Sequence, residues 1–123
     1  MVEPATRSTL AVIRHAPYGS SLARAAIDVS LANAAFDQPV ELLFMGDGVL
    51  QLLPAQDAAA LGRKNLARLL ASLPLYGIEQ VYVDAESAAR YRVDLARSPV
   101  AAVPLEATAL RALLRKHDQL LGF

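Results

Sequence analysis

The side chains best suited to chemistry lie in four short segments, each directly after a predicted strand. These segments cover residues 15–21, 46–48, 84–86 and 104–106, and they contain one imidazole, several hydroxyls and four carboxylates. In an open α/β sheet, ligands bind beyond the carboxyl ends of the strands, near the point where the strand order reverses. We therefore expect any reactive or ligand-binding group of this chain to lie at that edge.

A serine hydrolase could combine Ser20 or Ser21 as nucleophile with His15 as base and Asp47 as the residue that orients the base. The strained Gly-x-Ser-x-Gly turn that presents such a nucleophile is missing from the sequence. Gly19 and the two serines more simply form a turn and then cap the helix that follows. We therefore favour a structural role for these serines and predict no catalytic residue.

A phosphate or flavin site is a second possibility for the same loop. The segment Tyr18-Gly19-Ser20-Ser21 offers backbone amides and hydroxyls at a helix N-terminus, where anions bind. The sequence contains neither a P-loop nor Gly-x-Gly-x-x-Gly, and only Tyr18 and Tyr76 lie in loops that could cover a flavin ring. An autonomous flavodoxin-like ligand-binding domain stays open as an alternative, but we predict no cofactor.

The sequence also argues against metal and thiol chemistry. His15 and His117 are far apart, and Asp47, Asp84 and Glu86 each suit an ordinary turn or capping role, so we predict no metal site. The chain contains no cysteine and therefore cannot itself form a thiolate nucleophile, a persulfide or a disulfide. Any sulfur chemistry would have to use a cysteine of a partner protein.

The 123-residue chain is rich in apolar residues and carries no net charge. Hydrophobic residues make up 54% of it, its mean hydropathy is +0.31, and 12 basic residues balance 12 acidic ones. No apolar run approaches the ~18 residues of a membrane span, and the first residues lack a signal-peptide pattern, so we predict a cytoplasmic protein. The apolar excess suggests contacts with other subunits, and the neutral charge argues against direct nucleic-acid binding.

Strands and helices are predicted to alternate along the chain. Apolar runs predict strands at residues 9–13, 40–45, 78–83 and 100–103, with a further edge strand at 119–123. Helical spacing of apolar residues and capping residues predict helices at 22–36, 58–72, 86–92 and 106–116. This alternation is typical of a mostly parallel sheet with helices on both faces. We predict a single domain over residues 1–123, with a sheet of about five strands.

One apolar segment does not follow this alternation. Gly46-Asp47-Gly48 ends the second strand, and its two glycines allow a positive φ or the close approach of another segment. Val49, Leu50 and Leu52 follow in a connection without helical or strand periodicity. We expect another subunit to cover them, because an exposed apolar connection is unusual. The alternative is that these residues fill the core of the domain itself.

The order of three loops resembles the DsrE/DsrF-like superfamily, and within it the subunits of the TusC/DsrF type. The segments that carry the resemblance are His15-Ala16-Pro17-Tyr18-Gly19, Gly46-Asp47-Gly48-Val49 with Gln51-Leu52-Leu53, and Pro74-Leu75-Tyr76-Gly77-Ile78. Two further segments fit the family, namely Arg24-Ala25-Ala26-Ile27-Asp28 and Lys116-His117-Asp118-Gln119. The resemblance covers nearly the whole chain.

The resemblance implies a flavodoxin-like three-layer α/β fold and membership of a heterohexamer. In such an assembly this chain would join TusB-like and TusD-like subunits, with two copies of each. The complex would pass persulfide sulfur to a downstream TusE-like carrier and so towards 2-thiouridine formation in tRNA. The related alternative is a DsrF-type subunit of a DsrEFH complex in sulfur oxidation.

The resemblance also implies a structural, non-catalytic subunit, since the acceptor cysteine in this family is attributed chiefly to the D- or E-type subunit. Where some relatives carry a cysteine near the end of strand three, this chain has Tyr82-Val83-Asp84-Ala85, and a carboxylate has no sulfur to transfer. The shared loops supply the residues expected at subunit interfaces or at the edge of the site. They are His15, Pro17, Tyr18, Gly19, Gly46, Asp47, Gly48, Val49, Leu50, Leu52, Pro74, Leu75 and Tyr76.

Overall fold

Strands and helices alternate in the computed structural model, which describes residues 8–15, 22–35, 39–53 and 67–123. The strands are β1 (Thr9–Ile13), β2 (Val40–Phe44), β3 (Gln80–Asp84), β4 (Ala101–Leu105) and β5 (Gln119–Gly122). The α-helices are α1 (Leu22–Ala35), α2 (Ala85–Arg90) and α3 (Ala107–Lys116). Residues 67–71 are helical as well, and short 3₁₀ helices are formed by Gly46–Leu52, Leu73–Tyr76 and Leu95–Arg97.

The five strands form one parallel sheet in the order β4-β3-β2-β1-β5. Thr9 of β1 lies opposite Val40 of β2 on one side and opposite Gln119 of β5 on the other. With helices on both faces, this arrangement confirms the predicted flavodoxin-like three-layer α/β fold. The strand order differs from the 2-1-3-4-5 order of flavodoxin itself, a detail that apolar runs alone do not determine. Successive strands from β1 to β4 lie further to one side of β1, whereas β5 lies on its other side, so the strand order reverses at β1.

The larger core lies between the sheet and the face that carries α1, residues 67–71 and α2. Ile13 of β1, Phe44 of β2 and Val83 of β3 are fully buried there, together with Ile27 of α1 and Leu70. Full burial of an apolar side chain of this size stabilises a fold by roughly 1.5–3 kcal/mol. The three β–α–β steps from β1 to β4 all move in one direction across the sheet, and right-handed crossovers therefore place their helices on this one face.

The opposite face carries α3, because the return from β4 to β5 crosses the sheet in the other direction. Leu113 of this helix packs on Leu10, Val12 and Leu43 in a second, smaller core. Every residue of β1 is buried, as expected for a strand that is covered on both faces.

Residues 46–52 form a 3₁₀ helix rather than the irregular connection predicted from the sequence. Gly46 has a φ of +55°, which reverses the chain directly after β2. The N–H of Gly48 then donates to the carbonyl oxygen of Met45 at 3.0 Å. Glycine suits position 46 because residues with a Cβ adopt this left-handed conformation only at a cost.

The C-terminus of α2 forms a Schellman motif in which Arg92 occupies the left-handed position. The N–H of Val93 donates to the carbonyl of Ala88 at 2.9 Å, and the N–H of Arg92 donates to the carbonyl of Ala89 at 3.2 Å. Arg92 has a φ of +53°, and this position usually holds glycine. We expect Arg92→Gly to raise the free energy of unfolding by about 1 kcal/mol, because it relieves this strain.

Urea unfolding of the purified chain would measure this effect. Ala89→Gly is the matched control, since the same residue type enters the exposed last turn of the helix, where the backbone is helical, and should lower the free energy of unfolding by up to about 1 kcal/mol. Equal destabilisation by both substitutions would show that the left-handed backbone at Arg92 carries no strain.

Candidate functional site

The carboxyl edge of the sheet, where all five parallel strands end, is built from four short segments. Arg14 and His15 follow β1, the 3₁₀ helix Gly46–Leu52 follows β2, α2 follows β3, and Glu106 follows β4. The structure therefore brings together the described parts of all four segments that the sequence predicted at this edge. Pro17, Tyr18, Gly19 and the two neighbouring serines lie outside the described residues, as does most of the helix predicted at 58–72.

Gly48 brings the 3₁₀ helix into direct contact with the end of β1. A Cβ at this position would lie 2.0 Å from the carbonyl oxygen of Ile13 and 3.2 Å from the Cα of Arg14. The same Ile13 oxygen accepts a hydrogen bond from the N–H of Met45 at 3.0 Å. Glycine is therefore required here for close packing within the chain.

Asp84 anchors the 3₁₀ helix to α2 through a buried serine. The hydroxyl of Ser87 donates to Oδ2 of Asp84 at 2.6 Å, and the N–H of Gly46 donates to the Ser87 hydroxyl oxygen at 2.9 Å. This carboxylate stands near the position where some relatives were expected to have a cysteine. Here it joins two segments of the edge and has a structural role.

A second link across the same edge joins Asp47 to Tyr91. The Tyr91 hydroxyl donates to a carboxylate oxygen of Asp47. The Asp47 carboxylate thus contacts a phenol, and the structure records no hydrogen bond between it and His15. The Ser-His-Asp arrangement considered from the sequence is therefore not assembled among the described residues, and its serines lie outside them.

His15 contributes its backbone rather than its side chain to the packing of this edge. Its imidazole is exposed, while its carbonyl oxygen accepts a hydrogen bond from Nε2 of Gln51 at 3.0 Å. Gln51 is only 3% exposed, and its Oε1 is buried without a hydrogen-bond partner among the described residues. Within the described residues, His15 is therefore linked to the 3₁₀ helix through its backbone carbonyl.

The apolar residues of the 3₁₀ helix divide between the core and the surface. Val49 and Leu52 are 0% exposed and pack in the larger core, which is the alternative that the sequence left open. Leu50 is half-buried and Asp47 is exposed. Another subunit could therefore contact Asp47 and Leu50, but the side chains of Val49 and Leu52 are already covered by the chain's own core.

Pro74, Leu75 and Tyr76 lie at the opposite edge of the sheet, where β3 begins. In this 3₁₀ helix Leu73 is buried, whereas Leu75 is 85% exposed and Tyr76 is 49% exposed. The N–H of Gly77, at a φ of +86°, donates to the carbonyl of Pro74 at 3.1 Å and closes the turn. The predicted interface loops therefore lie at both ends of the sheet, and Leu75 is the most exposed large apolar side chain among the described residues.

A polar cluster beneath α3 was missed by the sequence analysis. The side chain of His117 is 1% exposed; its Nδ1 lies 2.9 Å from the carbonyl oxygen of Leu113 and its Nε2 lies 2.9 Å from Oε1 of Glu41. Lys116 contacts the same Glu41 oxygen at 3.4 Å. Both ring nitrogens therefore lie within hydrogen-bond distance of an oxygen atom. Seventy-six residues separate His117 from Glu41, so no local pattern could reveal the pair.

The surroundings of Glu41 favour its charged form. Burial disfavours the carboxylate, but a hydrogen bond with Tyr82 and the charges of Lys116 and His117 outweigh burial and lower the pKa of Glu41 below its ordinary value of 4.5. Ionised Glu41 therefore stabilises the fold above the unfolded-state pKa. That contribution is lost as the pH falls through the lower folded-state pKa.

We expect wild-type protein to lose more stability than Glu41→Gln when the pH falls from about 5.5 to about 3, because only the wild type loses this contribution. Urea unfolding at a series of pH values gives the two curves. Glu79→Gln, at an exposed carboxylate, is the control and should follow the wild type. Parallel curves for wild type and Glu41→Gln would contradict the prediction.

The residues that the structure describes include no group of three or more side chains that could hold a metal ion. Among the same residues, no helix is both long enough and apolar enough to cross a membrane. The described part of the candidate site is a set of surface loops at a carboxyl edge that hydrogen bonds from Tyr91 to Asp47 and from Ser87 to Asp84 hold together.

A family model and full-length relatives of this sequence both point to the DsrE/DsrF-like family. The sequence matches the DsrE/DsrF-like family over residues 7–123. It is 39% identical over 116 residues to the protein TusC homolog of Pseudomonas aeruginosa, an alignment that covers 94% of this chain and 98% of that protein. It is 38% identical over 114 residues to protein TusC of Escherichia coli, covering 91% of this chain and 95% of that protein.

The chain is also similar in sequence to a sulfur oxidation protein and in structure to a solved protein. The intracellular sulfur oxidation protein DsrF of Allochromatium vinosum is 45% identical over 74 residues, which cover 60% of this chain and 54% of that protein. The crystal structure of the ychN protein of Escherichia coli has a TM-score of 0.79 at 18% sequence identity, covering 95% of this chain and 99% of that one. The structural likeness shows a shared fold, and the sequence matches show that this chain belongs to the DsrE/DsrF-like family.

Proposed function

We propose that this chain is a non-catalytic structural subunit of a TusBCD-like sulfur-relay complex in the cytoplasm. The observation that carries the proposal is the match to the TusC homolog of Pseudomonas aeruginosa, at 39% identity over nearly the full length of both proteins. In this role the chain assembles with TusB-like and TusD-like subunits in a heterohexamer. The complex passes persulfide sulfur to a TusE-like carrier and so towards 2-thiouridine in tRNA.

The chemistry of the chain supports a structural role. It has no cysteine, so a persulfide must be carried by a partner subunit. At the carboxyl edge, the Asp84 carboxylate is bonded to Ser87 and the Asp47 carboxylate to Tyr91. These contacts hold the loops of this edge in place, which supports a structural role for both carboxylates.

The exposed loops are the surfaces that we propose for the partners. Leu75 and Tyr76 project at the amino edge, and burial of such side chains is the usual source of binding energy at a stable interface. An open groove of about 340 Å³, lined by residues 40, 41 and 77–80, lies next to them. At the carboxyl edge, His15, Asp47 and Leu50 remain available for a second contact.

Co-expression with the TusB-like and TusD-like proteins of the same organism tests the proposal. We expect the chain to co-purify with both at equal stoichiometry, and intact-mass analysis after persulfide loading should place the added sulfur on a partner subunit. A Leu75→Asp and Tyr76→Asp double variant should fold as a single chain but lose the partners, because it places charges in an apolar contact. A stable chain that ignores both partners would contradict the proposal.

A DsrF-type role in sulfur oxidation is the second candidate, favoured by the 45% identity to DsrF over 74 residues. The two roles differ in the fate of the sulfur. In a tusC-deficient strain, expression of this chain should restore 2-thiouridine in hydrolysed tRNA if it serves the thiolation relay. Failure to restore it, together with co-purification with DsrE-like and DsrH-like proteins, would favour the sulfur-oxidation role.

A further inference from the structure

β5 lies at one edge of the sheet, and part of its backbone has no partner among the described residues. The N–H of Gln119 donates to Ser8 at 3.1 Å, the N–H of Phe123 donates to Val12 at 2.9 Å, and the carbonyl of Phe123 accepts from Arg14 at 2.8 Å. Successive residues of a strand direct their backbone groups to opposite sides. The N–H and C=O groups of Leu120 and Gly122 therefore point away from β1, towards the outside of the sheet.

The two edges of the sheet differ in their protection against pairing with another chain. Edge strands are commonly protected by proline, by charged side chains or by bulges. The opposite edge strand β4 contains Pro104, which has no N–H to donate. Residues 119–123, which comprise β5 and the residue after it, contain neither a proline nor a charged side chain. Within the part of the chain that the structure describes, the edge formed by β5 is therefore open to another strand.

The side chains of β5 are complementary in size to those of a second, antiparallel copy of the same strand. Leu120 lies opposite Leu10 in the register with β1, on the face that carries α3, and it is 51% exposed. Gly122 points to the same face and has no side chain. A Cβ placed on Gly122 would contact the guanidinium of Arg14, at 3.6 Å.

We infer that two copies of this chain pair through their β5 strands, antiparallel, about a twofold axis at Leu121. In this register Leu120 of each copy lies opposite Gly122 of the other, and each such pair exchanges two hydrogen bonds through the groups left unpaired by β1. The projecting leucine then lies over the glycine, next to the guanidinium of Arg14. The two Leu121 residues meet as a non-hydrogen-bonded pair, and the contact is self-complementary, as a twofold interface requires.

The inference goes beyond the proposed sulfur-relay role and does not depend on it, since it concerns the chain alone. Sedimentation or light scattering over a range of concentrations should show a mass that rises from 13.1 kDa towards twice that value. Leu120→Lys should raise the dissociation constant of the dimer at least tenfold, because lysine on an edge strand disfavours pairing. Ala101→Lys on the β4 edge is the matched control and should leave the dimer unchanged.

A disulfide provides a second, independent test, because the chain contains no other cysteine. Leu121→Cys should form a cross-linked dimer under mild oxidation, since Cα atoms in a non-hydrogen-bonded antiparallel pair are about 4.5 Å apart, within the disulfide range. Ala101→Cys is the control and should stay mostly monomeric. A wild-type monomer at every concentration, or equal cross-linking of the two variants, would overturn the inference even if Leu120→Lys misfolds.

Discussion

Gly48→Ala is expected to lower the free energy of unfolding by about 3 kcal/mol, at the upper end of the cost of overpacking. The added Cβ would lie 2.0 Å from the carbonyl oxygen of Ile13 and 2.7 Å from its carbonyl carbon. Both contacts are with backbone, so no side-chain rotation can relieve them. The backbone would have to move, and this would disturb the 3.0 Å hydrogen bond from Met45 to Ile13.

Gly46→Ala separates this steric effect from the general cost of replacing glycine. A Cβ on Gly46 meets nothing within 4 Å, but the residue has a φ of +55°, so only backbone strain of about 1–2 kcal/mol is expected. Urea unfolding followed by circular dichroism would rank the two variants. Equal stabilities would show that the contact between Gly48 and β1 is not tight in solution.

Leu52→Asp is expected to abolish folding of the isolated chain, whereas Leu50→Asp should leave it folded. Leu52 is 0% exposed and packs in the larger core, where an unpaired carboxylate costs many kcal/mol and even Leu→Ala costs about 2–5 kcal/mol. Leu50 is half-buried, and an aspartate there can reach water. The two neighbouring leucines therefore have different roles despite their similar place in the sequence.

Circular-dichroism melts of both variants, followed by co-purification with the TusB-like and TusD-like proteins, would test this difference. Leu52→Asp should show no cooperative melt. Leu50→Asp should melt cooperatively and recover less of the partners if Leu50 lies in the proposed interface. A cooperative melt of Leu52→Asp would contradict its assignment to the core, and full partner recovery by Leu50→Asp would remove that residue from the interface.

The sequence predicted the order and type of the main elements because each depends on local patterns. Apolar runs identified all five strands, including β5, and helical spacing with capping residues identified α1 and α3. The order of three loops indicated the DsrE/DsrF-like family, which the family match over residues 7–123 confirms. Each of these patterns spans only a short segment of the chain, so it can be recognised without knowledge of the tertiary structure.

The details of the site could not be predicted because they depend on contacts between distant segments. The need for glycine at position 48 arises from Ile13, and that contact exists because β1 and β2 are neighbours in the sheet. The burial of Val49 and Leu52 depends on the 3₁₀ helix turning into the core. Similarly, Glu41 and His117 meet only because α3 returns across the sheet to lead into β5.

The position of β1 in the sheet has a consequence for the order in which the chain folds. β1 to β4 pair with sequence neighbours, but β1 also pairs with β5, and Ser8 contacts Asp118 across 110 residues. Contacts over such separations form late, because the intervening chain must first be ordered. We therefore expect β5 to pair last, so that the edge proposed for self-pairing would be complete only on a fully folded chain. Dimer formation would then report completed folding, and partly folded chains would remain monomeric.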